Sequence, residues 1–106
     1  MQCDNGDDII CTEQYVYGLN VIVKDANTND IIIEDITIIA TEEDYQEELM
    51  IFLGSTNYVG AGERPGNYIL EVTSNDYQTY TSSVIEIGAD ECHVIPEVIE
   101  IFLQPN

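Results

Sequence analysis

The feature that most constrains this chain is a two-residue alternation of bulky apolar side chains, repeated in short runs. Leu19, Val21 and Val23 alternate with Asn20, Ile22 and Lys24, and Tyr68, Leu70 and Val72 alternate with Ile69, Glu71 and Thr73. Ile99, Ile101 and Leu103 share one parity near the end. Successive side chains of an extended chain point to opposite faces, so runs of this kind make sheets with one buried face. A further run from about Ile33 to Thr41 sets Ile36, Ile38 and Ala40 on one face, and residues 77–87 make a polar strand ending in Ile85 and Ile87. Turn segments separate the runs: Asp25–Asp30, Gly60–Gly66, Asn75-Asp76 and Gly88–Asp90. Asp and Asn favour such places because they bond their own backbone.

Residues 42–53 admit two readings. Thr41-Glu-Glu-Asp44 has the form of a capping box, and Tyr45, Leu49, Phe52 and Leu53 lie at helical spacing before Gly54. The run Leu49-Met-Ile-Phe-Leu53 also reads as a strand, and the surrounding acids have no cation nearby to support a helix. A turn followed by a strand is the expectation. Ile and Val are abundant and seven Tyr outnumber two Phe, the bias of a strand-rich chain. The whole predicts an all-β sandwich of about seven strands, with Leu19, Val21, Val23, Ile36, Ile38, Leu70, Val72, Ile99, Ile101 and Leu103 facing its core. One domain of residues 15–106 fits the length of 106 residues, preceded by an acidic tether, residues 1–14.

Charge narrows the partners. Twenty-one acids stand against Lys24 and Arg64, for a formal net charge of −19. Nucleic-acid affinity rests on lysine and arginine displacing counterions, so phosphate backbones and anionic membrane surfaces are repelled. Solubility, divalent cations or a basic partner suit such a surface. No apolar run approaches the roughly 20 residues needed to span a bilayer. No secretory apolar segment is present, and the polar start is expected to follow a removed targeting segment, with Met1 added.

Candidate chemistry is sparse. The single histidine, His93, adjoins Cys92, but neighbours on a strand face opposite ways and no third member of a triad is in view, so a structural or surface histidine is expected. Gly60, Gly62 and Gly66 imitate a dinucleotide loop at the wrong spacing, are interrupted by Pro65, and precede a strand rather than a helix. Asp25, Asn27 and Asn29 have the one-three-five spacing of a calcium loop. Asp30 stands where glycine is needed and Ile36 where a bidentate glutamate is, so these are weak candidates beside a plain Asx turn. Adventitious calcium at Asp4, Asp7 and Asp8 is the other metal option; no cofactor is expected. Carboxylates are too many for any pair to signal a glycosidase. Tyr15, Tyr17, Tyr58, Tyr77 and Tyr80 are the aromatics available to a sugar platform in a chain without tryptophan, and packing is the preferred role for most.

Three stretches together resemble the carboxypeptidase regulatory-like domain. Gly18-Leu-Asn-Val-Ile-Val-Lys-Asp-Ala-Asn-Thr28 is similar to its opening strand and Asp-x-x-Thr turn. Glu63-Arg-Pro-Gly-Asn-Tyr-Ile-Leu-Glu-Val72 with Tyr77 is similar to its Pro-Gly-x-Tyr-x-Leu-x-Val strand and following Gly-Tyr, except that Asp76 replaces the glycine. Asp90-Glu-Cys-His-Val94 leading into Ile99-Glu-Ile-Phe-Leu103 resembles the closing strands of versions in bacterial surface lipoproteins. The resemblance covers about residues 15–104. It implies a Greek-key, transthyretin-like sandwich without catalytic residues, serving as a structural or protein-interaction module of a cell-envelope lipoprotein. A carbohydrate-binding or accessory domain of a cell-surface enzyme system is the alternative. The implied partner is another envelope protein or a glycan, with no nucleic acid, and the implied location is extracytoplasmic, at the outer membrane or cell surface.

Two cysteine assignments complete the reading, the first from position and the second from the same resemblance. Cys3, near the start and ahead of an acidic tether, resembles by position the lipid-bearing cysteine of a mature surface lipoprotein, with a free thiol or a chance residue in the tether as the rival. Three cysteines permit three pairings. Cys11 precedes the first strand and Cys92 the last, and these segments neighbour each other in a transthyretin-like sandwich, so a Cys11–Cys92 disulfide is implied. Cys3–Cys11, or three reduced thiols, stay open. The adhesin sandwiches of pili, which link a strand lysine to an asparagine with an acid as catalyst, are a second likeness. The acid's position falls on Val72, and Glu71 faces the other way, so no isopeptide at Lys24 is expected.

Overall fold

The computed structural model describes Cys11 and residues 14–106. The described residues form two sheets and no helix. The strands are β1 (Tyr17–Asp25), β2 (Ile36–Glu42), β3 (Tyr45–Glu48), β4 (Met50–Ile51), β5 (Tyr58–Gly62), β6 (Gly66–Ser74), β7 (Tyr80–Thr81), β8 (Ile85–Ile87) and β9 (Glu97–Leu103). One sheet has the order β4-β5-β1-β9; the other has β3-β2-β6-β7, with β8 also on β6. Among the described residues the one parallel pair joins β1 to β9, Leu19 opposite Glu97 through Asp25 opposite Leu103. The core lies between the sheets, as the alternation requires.

Eight of the ten residues expected inside are buried: Leu19, Val21, Val23, Ile38, Leu70, Val72, Ile101 and Leu103. Ile36 and Ile99 are partly buried against them. Ala40, Leu49, Tyr58, Ala61, Tyr68, Ile87 and Val94 complete the core. Tyr68 is fully buried, yet its hydroxyl donates to the Arg64 carbonyl four residues back, 2.8 Å away. A buried phenol needs such a partner, and this one pins the corner before β6 in the manner of a tyrosine corner.

The described residues form nine strands where the sequence suggests about seven, for local reasons. The expected strand 77–87 is broken. Thr81 pairs with Glu71 and Ile85 with Tyr68, so one extra residue is accommodated between. At the break Ser82 donates its N–H to Leu70 and its Oγ receives the Leu70 N–H, which keeps the buried backbone of β6 satisfied. Within residues 42–53 a turn and strand do form, the strand ending at Ile51 with Phe52 and Leu53 beyond it. Glu43-Asp44 is a two-residue hairpin turn with Glu43 at φ 51°. The strand that follows passes from one sheet to the other as β3 and β4, with buried Leu49 at the crossing and its N–H on the Ile38 carbonyl.

The segment Gly60–Gly66, read above as a turn, is corrected by the structure. Gly60 and Gly62 belong to β5, Gly66 opens β6, and the connection is only residues 63–65. Glycine serves here for close approach: a Cβ on Gly60 would lie 2.0 Å from Leu49 Cδ2, where the crossing strand packs against β5. The glycines that resemble a loop are thus the sites where another element presses on the sheet. Likewise β2 begins at Ile36 rather than Ile33, because residues 31–32 pair with the end of β1 instead.

Candidate functional site

Two regions gather the chain's chemistry: a junction at one end, holding the N-terminal arm, and an apolar groove beside β4.

At the junction, Cys11 and Cys92 are joined by a disulfide, Cα–Cα 5.2 Å across 81 residues of sequence. Cys92 sits in a tight turn built by Asp90, whose Oδ1 accepts the N–H groups of Cys92 and His93, each at 2.8 Å. Glu63 completes the tie. Its carboxylate accepts the Val16 N–H at 2.9 Å and the Val94 N–H at 3.2 Å, and lies 2.6 Å from His93 Nδ1. Burial pushes the Glu63 carboxyl up, but the Val16 N–H, His93 and Val94 together outweigh it and hold it below the usual range. The arm before β1 is therefore fastened to the loop before β9 both covalently and through one carboxylate.

His93 and Glu63 border a shallow hollow of about 120 Å³ with Cys92. The Cys92 sulfur is consumed by the disulfide, so it offers no thiol nucleophile beside the imidazole. Cys3, Asp4, Asp7 and Asp8 lie outside the described residues.

Asp25 is occupied by its own turn. Oδ1 accepts the Asn27 N–H at 2.7 Å and the Thr28 N–H at 3.0 Å, while Oδ2 accepts the Tyr77 hydroxyl at 2.8 Å. The Tyr77 bond, followed by the Asn27 N–H, lowers its pKa. Asn29 takes the left-handed conformation, φ 65°, that Asn tolerates in turns. Among the described residues no group of three or more His, Cys, Asp or Glu is placed to hold a metal.

Both cations are engaged. Lys24 Nζ lies 2.8 Å from Glu100 and over the Phe102 ring, on the outer face of the four-stranded sheet. Val72 is buried and Glu71 exposed, on opposite faces of β6. Arg64 is stacked 3.6 Å over Tyr45 and bonds Tyr68 and Glu42. Its pKa is raised first by the Tyr68 and then by the Glu42 hydrogen bond, so it stays charged throughout. Glu42, held by the Arg64 bond and then the Asn67 N–H, is lowered.

The groove lies where β4 passes the segment after the 25–30 turn. A cavity of about 690 Å³ is lined by Ile33, Ile36, Leu49, Met50, Ile51 and Tyr58 together with Glu34 and Glu48. A second, about 380 Å³, shares Ile33, Glu34 and Ile51 and adds Phe52 and Leu53. Ile33, Met50 and Phe52 are each about half exposed and Leu53 wholly so. Exposed apolar side chains scattered singly are ordinary, but these adjoin one another on a concave surface. Sequence reasoning assigned Leu49–Leu53 to a strand without seeing that its far side has no cover.

The tyrosines divide. Tyr58 is buried, Tyr77 is tied to Asp25 and Tyr80 packs against the core. Tyr15 and Tyr17 meet edge to face, and Tyr17 meets Phe52 at a 54° tilt. Rings so inclined present no shared plane.

Among the described residues no helix is long and apolar enough to cross a membrane. Compared with protein-family models and with curated proteins, the chain matches none.

Proposed function

We propose that this is a non-catalytic protein-interaction module, a carboxypeptidase regulatory-like domain with Greek-key, transthyretin-like topology, carried by an exported envelope lipoprotein. The observation that carries the interaction reading is the groove at Ile33, Met50, Ile51 and Phe52, which leaves adjoining bulky apolar side chains in solvent. Interfaces are built around such anchors inside a polar rim. Export is supported by the Cys11–Cys92 disulfide, since such bonds persist in oxidising compartments. The family reading draws support from the Pro-Gly-x-Tyr run opening β6 and from the order of motifs along the chain. Lipid attachment at Cys3 is part of the proposal, and acylation of Cys3 in the full precursor, read by mass spectrometry, is its check.

The alternative, a glycan-binding accessory domain, is less well served: sugar faces stack on flat aromatic surfaces, whereas Tyr15, Tyr17 and Phe52 are inclined to one another. A pull-down from the native envelope beside a glycan array separates the two. A protein partner lost on substituting groove residues supports the module. Binding to isolated glycans with no protein partner overturns it.

A further inference from the structure

We propose that the groove beside β4 takes a cationic segment of a partner protein, in which bulky apolar anchors are accompanied by lysine or arginine. This rests on the interaction-module reading and specifies its occupant. The floor is apolar, and the charged side chains lining it are Glu34, which borders both parts of the groove, and Glu48, which borders the larger, with no basic residue among them. The adjoining depression adds Asp30, Asp35 and Asp76. Neither cation of the described residues can neutralise these acids, because Lys24 is held by Glu100 and Arg64 by Glu42. An apolar or acidic segment laid into the groove would desolvate Glu34 and Glu48 without compensation, which is costly for a charge. A cationic one supplies the missing partner charges while its apolar side chains cover Ile33, Met50 and Phe52. The formal charge of −19 also draws a cationic segment in and repels acidic competitors. An extended segment with alternating side chains meets floor and rim at once, since its neighbours face opposite ways.

The test uses three fluorescent peptides of about eight residues, a usual strand length: alternating Lys/Leu, alternating Lys/Ser and alternating Glu/Leu. Anisotropy measures binding to the oxidised protein, and amide NMR shifts locate it. The account expects the Lys/Leu peptide to bind best, with shifts centred on Ile33, Met50 and Phe52. Affinity should fall about tenfold in high salt, as for any contact between exposed charges. It should fall about as far for Leu53→Ser with Ile33→Ser, exposed changes that leave the core intact, and for Glu34→Gln with Glu48→Gln. Equal binding of Lys/Ser reduces the effect to bulk charge and overturns the proposal. Equal binding of Glu/Leu, or no binding by Lys/Leu, overturns it too. Capture of an envelope protein that survives the groove substitutions also overturns this occupant, while leaving the interaction-module reading in place.

Discussion

Glu63 and His93, 30 residues apart in sequence, meet at 2.6 Å and bring the corner between β5 and β6 against the loop that leads to β9. The same carboxylate receives the Val16 N–H, so one side chain serves three segments. In Glu63→Ala the amides of Val16 and Val94 lose their acceptor. Hydrogen exchange should quicken at those two amides and remain slow in the centres of β1 and β6. Unchanged protection at Val16 and Val94 would show that the carboxylate does not hold the arm.

Reduction tests the covalent half of the same junction. Closing 81 residues of sequence separation limits the unfolded chain, and the chain-entropy account gives roughly 4–5 kcal/mol for a loop of that size. Urea unfolding of Cys11→Ser with Cys92→Ser, or of reduced protein, should show a midpoint lowered to match. A variant as stable as the oxidised protein would contradict a bond at this place.

Acid acts in two opposed ways. Glu63, Glu42, Asp25 and Asp90 all titrate below their ordinary values in the fold. A carboxyl lowered in this way contributes stability that is complete above the unfolded range, about 4, and is lost as pH falls through the folded value. Meanwhile the mutual repulsion of 21 acids relaxes as the pH approaches the isoelectric point near 4.1. The melting temperature should hold or rise from pH 7 to about 5, then fall below about 4. Added salt should raise it at pH 7 by screening the repulsion. A steady decline from pH 7 downward would contradict the account, because carboxyls lowered in the fold have no stability to lose above the unfolded range.

The Glu43 turn stores strain that a substitution can remove. With φ at 51° in an exposed hairpin turn, a residue with a Cβ is disfavoured there. Glu43→Gly should stabilise the fold by up to about 1 kcal/mol, the cost of a left-handed conformation less the added freedom of the unfolded glycine. A loss of stability, read from chemical denaturation, would show that the Glu43 side chain contributes more than its backbone costs.

The sandwich was largely legible because alternation survives wherever one face of a strand is buried. It failed at β5, where Gly60 and Gly62 replace the apolar signal with room for Leu49 and Tyr15. It also failed to separate β7 from β8, since a one-residue slip beside β6 leaves no mark in composition. The Cys11–Cys92 pairing came from likeness to a family rather than from the cysteines themselves. The groove was illegible for another reason: Ile33 lies apart in sequence from Met50 and Phe52, and nothing in their spacing shows that the fold leaves them side by side and half exposed.

The central claim, that the β4 groove is the face through which this domain meets its partner, is tested most directly by position-specific photocrosslinking in the native envelope. A photoreactive residue at Leu53, fully exposed at the groove, should yield one dominant adduct whose crosslinked peptide is rich in lysine or arginine. The same residue at Thr73, on the outer face of β6, should yield none. Equal adducts from both positions, or adducts from Thr73 alone, would contradict the account.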